Sequence, residues 1–363
     1  MNVRPIVFTS FFRIVSGETH GIKDHEVKND IEMAYDARKI GVDVPQYVVK
    51  EYEYKTKGER ASYYGNPITN QHLGNVFKNI FLLDKNGIYH KDLDIEHVFY
   101  DEQGNVEIDC FRFAQKFAKN EPALPDFVAP TNQFNYETAS LALYMANIYD
   151  NNAKRVFVEN YLSECAKFHQ KRAGMMARVM KGANRQNYTL EMFDYEQTKA
   201  KALQKVDADK VQLTLQRLDF MGKQRAAFTK WDEGNGACGH KFSKKDRIES
   251  IPMYLEAVKS AIEYSKMAEN FASKTTGLDK KYYEYEAQFG AYFANIYLSW
   301  ISGMAKDNFN NPKMESGFST VEVDKIDAEY QKIIKADFDK KAQAIDEYLE
   351  IYIPNAEKIT SLD

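Results

Sequence analysis

The sequence predicts an α+β chain in which strand and helix mix through the first third and helix alone fills the rest. Three observations lead there. Runs rich in aromatic and β-branched residues are short and confined to the first 113 positions. From residue 150 onward, apolar residues recur at three-to-four spacing over long stretches. Polar breaks cut that helical pattern at 181–188, 234–245, 275–279 and 307–319. The 363 residues are 44% hydrophobic and 13% aromatic, enough for two cores of about 150 residues each and too apolar for a disordered chain. With 49 basic against 53 acidic residues the net charge is −4, so no basic footprint for nucleic acid is present. Three cysteines, Cys110, Cys165 and Cys238, are odd in number and far apart, which disfavours a disulfide scaffold and suits a reducing compartment.

In chain order, Phe11 to Val15 reads as a strand. Glu26 to Ile40 sets Val27, Ile31, Ala34, Tyr35 and Arg38 at helical spacing, and Gly41 stops the helix. Val44-Pro45 then turns the chain into a strand at Tyr47-Val48-Val49. Thr69 to Lys85 is a second amphipathic helix, with Leu73, Val76, Phe77, Ile80 and Phe81 on one face. Two short strands follow, meeting at a turn around Gln103-Gly104, and the second delivers Asp109. The last helix is expected over Asp324 to Tyr352, on Ile326, Tyr330, Ile333, Ile334, Ile345, Leu349 and Tyr352. No repeat of fixed period appears. The stretch Met1 to Val15 lacks the small-residue cleavage site of a signal peptide, and a cytoplasmic fold is the expectation. The longest uncharged run, Ala287 to Ala305, carries Gln288 and Asn295 and reads as a buried helix, so no transmembrane segment is expected.

Residues 88–113 hold the densest polar chemistry. A polar loop carries His90, Lys91 and Asp92, and a strand end carries Asp109. One carboxylate that orients an acceptor hydroxyl and another that holds Mg²⁺ against phosphates are what phosphoryl transfer requires. The same arrangement also suits an ordinary hairpin with solvated carboxylates.

On these residues the chain resembles the protein kinase superfamily. His90-Lys91-Asp92-Leu93 is similar to the catalytic-loop signature, with Lys91 in the place of Arg, and Asp109-Cys110-Phe111 is similar to the metal-binding Asp-Phe-Gly segment. Val128-Ala129-Pro130-Thr131 resembles the end of an activation segment, and Tyr136 to Tyr149 the buried helix after it. The resemblance implies a kinase-like two-lobed domain over 1–185, with a reduced N-lobe at about 1–66 and a C-lobe at about 67–185, followed by an all-α C-terminal domain over 190–363. It implies ATP and Mg²⁺ as cofactors, with Mn²⁺ as a substitute, and a protein substrate. Asp92 would orient the acceptor, with His90 and Lys91 beside it, and Asp109 would bind the metal. Glu32 would be the ion-pairing glutamate of the regulatory helix, and Arg13, or else Lys23, would anchor phosphate. Small divergent domains of this kind joined to helical modules resemble effectors that bacterial pathogens inject into host cells, which would make secretion by a specialised system and a role in virulence part of the expectation.

The departures bear on activity. His97 stands where the family places the Asn that holds the second metal, and an imidazole suits Zn²⁺ better than Mg²⁺. Phe111 replaces the flexible glycine. Only 12 residues precede Arg13, too few for the strands and glycine-rich loop that cover ATP. These leave open a catalytically dead pseudokinase scaffold, without cofactor, whose helical domain binds a partner protein. Lys50 copies the phosphate-anchoring lysine pattern but lies too near Asp92 for the intervening elements.

Two weaker constellations remain. Cys238-Gly239-His240 offers two metal ligands where a structural zinc site needs four. Over 171–185, Lys171, Arg172, Arg178, Lys181 and Arg185 alternate with Met175, Met176, Val179 and Met180, which suits either acidic-lipid contact or a helix packed on its Met face with its basic face in water.

Overall fold

The computed structural model describes residues 24–44, 46–48, 53–55, 59–60, 75–76, 78–79, 82–83, 86, 88–90, 98–100, 105–116, 151–180, 190–236, 241–310 and 320–360. The chain divides into two compact units, Met1–Val206 and Asp207–Asp363.

The first unit opens with α1 (Asp24–Lys39). Its buried stripe is Asp30, Ile31, Ala34 and Ala37, while Tyr35 and Arg38, placed on the core face by the spacing alone, lie outside. Gly41, with φ of +91°, ends the helix in a paired cap: its N–H donates to Arg38 O at 3.1 Å and that of Val42 donates to Ala37 O at 3.1 Å. The left-handed turn costs glycine nothing and satisfies two carbonyls left over at the helix end.

Among the described residues, seven strands of two or three residues follow: β1 (Gln46–Val48), β2 (Glu53–Lys55), β3 (Glu59–Arg60), β4 (Ile88–Tyr89), β5 (Val98–Tyr100), β6 (Val106–Ile108) and β7 (Gln115–Lys116). They form three separate antiparallel ladders, β1 with β2, β3-β5-β6, and β4 with β7. In the middle ladder Val98 faces Ile108 and Tyr100 faces Val106. Helical backbone is also described at Asn75, Val76, Lys78, Asn79, Leu82 and Leu83, within the second expected helix. The strand expected at Phe11 to Val15 and the stretches 128–131 and 136–149 lie outside the described residues.

The expected kinase-like two-lobed α+β domain is not what the chain builds, and this corrects the sequence-based fold class. Among the described residues the protein is predominantly helical, and the described strands form sheets of only two or three strands. The physical reason lies in the strands themselves. Among the described residues a run such as Gln46–Val48 or Val98–Tyr100 is three residues long, too short for a sheet that could cover a nucleotide.

Among the described residues of the first unit, two further helices follow, α2 (Asn151–Met180) and α3 (Leu190–Ala202). They pack together through Met176, Met192 and the half-buried Phe193, and through a buried charge cluster. Glu196 accepts from Arg172 Nε at 2.8 Å and lies 2.7 Å from His169 Nδ1, with all three side chains at 3% exposure or less. Burial pushes the Glu196 carboxyl up, but Arg172 and His169 outweigh it and hold the pKa down at about 2. Arg172 is therefore a core residue rather than a lipid-headgroup ligand; Lys181 and Arg185 lie outside the described residues.

Among the described residues, the second unit is a bundle of five helices, α4 (Ala208–Gly234), α5 (Lys244–Lys274), α6 (Gly277–Asn310), α7 (Thr320–Lys335) and α8 (Lys341–Thr360). Helix α5 packs against α4, α6 and α8, and α7 against α6 and α8. Ser243 caps α5, its hydroxyl accepting from Asp246 N. The single helix expected over 324–352 is two helices, broken at 336–340 by a 3₁₀ turn. Folding back lets the two halves of one apolar stripe meet: Ile333, Ile345 and Tyr352 are all fully buried, and Tyr330 and Tyr348 stack edge to face at 5.8 Å. Lys341, drawn into the break, donates to the last carbonyls of α7, Ile333 O and Ile334 O, both at 3.1 Å.

Polar side chains in this bundle are tied together. Glu286 on α6 accepts from Arg217 of α4 at 3.1 Å and from the Tyr264 hydroxyl of α5. Burial first, and the Glu286 carboxylate second, push the Tyr264 pKa far above its ordinary value. Asn308 bridges Arg247 and the Tyr352 hydroxyl, which itself donates to Ile248 O at 3.1 Å. Lys210 joins Asp207 and Asp279 at the start of α4 and α6. Gly290 sets how closely α5 and α6 approach, since a Cβ there would lie 2.7 Å from Tyr264 Cδ1 and 3.0 Å from Ala261 O.

Two outcomes follow for stability. Gly290→Ala should destabilise the protein by about 1–3 kcal/mol through overpacking, whereas Gly303→Ala, with open space around its Cβ, should be neutral or stabilising by up to about 1 kcal/mol; paired urea titrations check both. Because Glu196 is more acidic folded than its ordinary 4.5, its stabilisation is complete above that value and drains away as pH falls toward about 2. The loss should be on the order of 3 kcal/mol. Glu196→Gln should be less stable at pH 7, because it leaves Arg172 buried against an amide, and should lack this acid limb.

Candidate functional site

The site is built where β4, β6 and the amino-terminal half of α1 converge on the segment Ile108 to Ala114. Strand β6 is buried along its whole length, and Ile108 N donates to Asp43 O at 2.9 Å just beyond α1. Asn79 Nδ2 adds a bond to Val106 O at 3.3 Å. Asp109 leaves this strand fully buried, and Cys110 then turns the chain with φ 62° and ψ 55°. A left-handed conformation at a residue with a Cβ costs about 1–2 kcal/mol, so the surrounding contacts must hold it. A 3₁₀ turn over Phe111–Phe113 follows.

Those contacts come from two directions. His90, fully buried at the end of β4, places Nε2 2.7 Å from the main-chain carbonyl of Asp109, and its ring meets Phe111 edge to face at 4.7 Å. A carbonyl only accepts, so Nε2 must carry the proton. From α1, Asp30 Oδ1 accepts from Phe111 N at 2.6 Å, and Asn29 Nδ2 donates to Arg112 O at 2.8 Å, to Ala114 O at 2.9 Å and more distantly to Phe111 O at 3.4 Å. Further along the helix, Asp36 accepts from Lys116 of β7 at 2.7 Å. Burial raises the Asp36 pKa, while Lys116 and Lys39 together lower it by more.

The structure thus brings together His90 and Asp109, two of the residues singled out by the sequence. Glu32 is on α1 but pairs with Lys28 of its own helix at 3.9 Å, with its side chain 42% exposed. Arg13, Lys23, Lys91, Asp92 and His97 lie outside the described residues, as do Cys238 and His240. Among the described residues no group of three or more His, Cys, Asp or Glu could hold a metal ion. Sequence reasoning missed Asn29 and Asp30. The available signal was positional: Asp30 is four residues before Ala34 and seven before Ala37, a polar residue at the start of the buried stripe.

Chemically, the arrangement fixes the backbone of one carboxylate-bearing residue against a histidine two positions before a second carboxylate, Asp92. Among the described residues no helix is long and apolar enough to cross a membrane. Comparison of the chain with protein-family models, with curated proteins and with solved structures found no match.

Proposed function

We propose that the chain transfers a phosphoryl group from ATP to a protein hydroxyl at a centre carried by Asp92 and Asp109. The observation that supports this most is the bond from His90 Nε2 to the Asp109 carbonyl, which ties the residue two positions before Asp92 to a strand end nineteen residues further along. Solvated hairpin carboxylates would need no such tie, and Asp109 is not solvated. In this reading Asp109 holds Mg²⁺, which would offset charge on the phosphates, and His97 takes the second ligand position. Asp92 accepts the proton of the acceptor hydroxyl, and Lys91 with Arg13 or Lys23 stabilises phosphate charge. Function here rests on the site and not on a two-lobed fold.

A second reading, a catalytically inactive scaffold that binds a partner protein through its helical unit, is favoured by a different observation. Leu278, Tyr292 and Trp300 are exposed at 43%, 42% and 49% and fall along one side of α6. Aromatic residues held in water at helical spacing are what a partner helix would bury.

The two readings part on one assay. In the first, Asp92→Asn and Asp109→Asn each lower ADP formation and phosphate incorporation by at least a hundredfold; the isosteric change at Asp109 should keep the melting temperature within a few degrees. Full activity in both variants would remove the assigned centre. If the wild-type protein forms no ADP and Trp300→Ser instead abolishes partner capture, the scaffold reading stands.

A further inference from the structure

We propose that Asn235 is a self-modification site: the main-chain nitrogen of Gly236 displaces the Asn235 side-chain amide, leaving aspartate or isoaspartate that loosens the junction of α4 with α5. The chemistry suits an Asn-Gly pair, because glycine has no Cβ to crowd the attack by its own nitrogen. The Gly236 N–H gives its proton to hydroxide, and the nitrogen attacks Asn235 Cγ. The N–Cγ bond forms, the Cγ–Nδ2 bond breaks, and the departing nitrogen takes a proton from water to leave as ammonia. Water then opens the cyclic imide. Addition at Cγ restores the original main chain with an aspartate. Addition at the Asn235 main-chain carbonyl carbon routes the chain through Cβ and Cγ instead, as isoaspartate. Water is the co-reactant, and no oxidation state changes.

The pair occurs twice in the sequence, at Asn86-Gly87 and at Asn235-Gly236, and the structure separates the two. Asn86 Nδ2 donates to Leu82 O at 2.7 Å, which anchors that amide one turn back. Asn235 is exposed just past the last residue of α4, where its own N–H reaches Trp231 O at 3.0 Å and Asp232 O at 3.1 Å. Among the described residues, neither its side-chain amide nor the Gly236 N–H makes a hydrogen bond. Gly236 has φ of +84°, so it has left the helical ladder that would otherwise occupy its nitrogen. The position is also one where a change is felt. Gly234 fits so closely against the start of α5 that a Cβ there would lie 2.8 Å from Arg247 N, and its carbonyl accepts from Ser243 N at 3.0 Å. Isoaspartate inserts an extra main-chain carbon at the very next residue. Either product adds a carboxylate at the negative end of α4, whose last turn holds Asp232 and no basic residue. Lys230 is already shared by Glu249 at 2.5 Å and Asp246 at 3.6 Å.

The test ages the full-length protein in neutral buffer, as wild type and as Asn235→Gln, whose longer side chain closes the corresponding ring far more slowly. Peptide mass spectrometry follows conversion at 235 and at 86, and electron-transfer fragmentation tells isoaspartate from aspartate. In the folded protein Asn235 should convert about tenfold faster than Asn86, the factor that one hydrogen bond holding the Asn86 amide is worth. In guanidinium, where that bond is gone, the two rates should converge. Aged wild type should melt below fresh wild type, whereas aged and fresh Asn235→Gln should melt together. Equal rates at the two sites in the folded protein, or the same ratio folded and unfolded, would overturn Asn235 as the site that the fold leaves reactive. Conversion at 235 with an unmoved melting temperature, or an equal drop in aged Asn235→Gln, would overturn the loosening of the α4–α5 junction.

Discussion

The contact on which the candidate site depends is the hydrogen bond from the buried His90 ring to the main-chain carbonyl of Asp109. Without it, β4 would be related to β6 only through its pairing with β7, because β4 and β6 are not neighbours in any described sheet. With it, the left-handed turn at Cys110 has an anchored entry, and Phe111 packs against the imidazole that anchors it. The strands here contribute few ladder bonds, so side-chain bonds to backbone take over the work that a wide sheet would otherwise do. Asn29, Asp30, Asn79 and His90 all bond main-chain groups of the Val106–Ala114 stretch. Each such bond nets only about 1 kcal/mol, but an unmade one in a buried site costs more, which is why the set acts together.

The second unit is organised on a related principle with different materials. Its interior is aromatic and aliphatic, yet each long helix brings at least one polar side chain inward and that side chain is bonded across a helix boundary. Glu286 joins α6 to Arg217 of α4 and to Tyr264 of α5, and Asn308 joins α6 to Arg247 of α5 and Tyr352 of α8. Such bonds specify register more than they add stability, since the desolvation of each charge offsets much of its attraction. The close approach at Gly290 uses the same register: only where glycine faces Tyr264 can α5 and α6 come together so tightly.

How much of this was legible can be argued residue by residue. The helix expected over 26–40 and found over 24–39, its stop at Gly41 and the breaks expected at 234–245 and 275–279 were readable because cap and turn residues act locally. The split of 324–352 was not, because Ile326 to Tyr352 keeps its apolar spacing through the break, and periodicity alone does not register a reversal that long-range packing repays. At the site, His90 and Asp109 stood out by motif. Asp30 did not, since an acidic residue on a helix reads as solvated until its neighbours Ile31, Ala34 and Ala37 are seen to be buried around it. Arg172 was misplaced for the same reason: its partner Glu196 lies 24 residues away on another helix. The two-lobed fold failed at a coarser level, because strand-like composition announces strands and does not say how many residues of each will pair.

The measurement closest to the central claim is the binding of Mn²⁺, in the presence of ATP, to the full-length protein, read from the loss of the free-ion signal in electron paramagnetic resonance. Binding of one Mn²⁺ that requires ATP, and that Asp109→Asn removes while the variant stays folded, is the result expected if Asp109 carries the metal at a phosphoryl-transfer centre. Mn²⁺ and ATP bound equally well by Asp109→Asn would contradict that assignment.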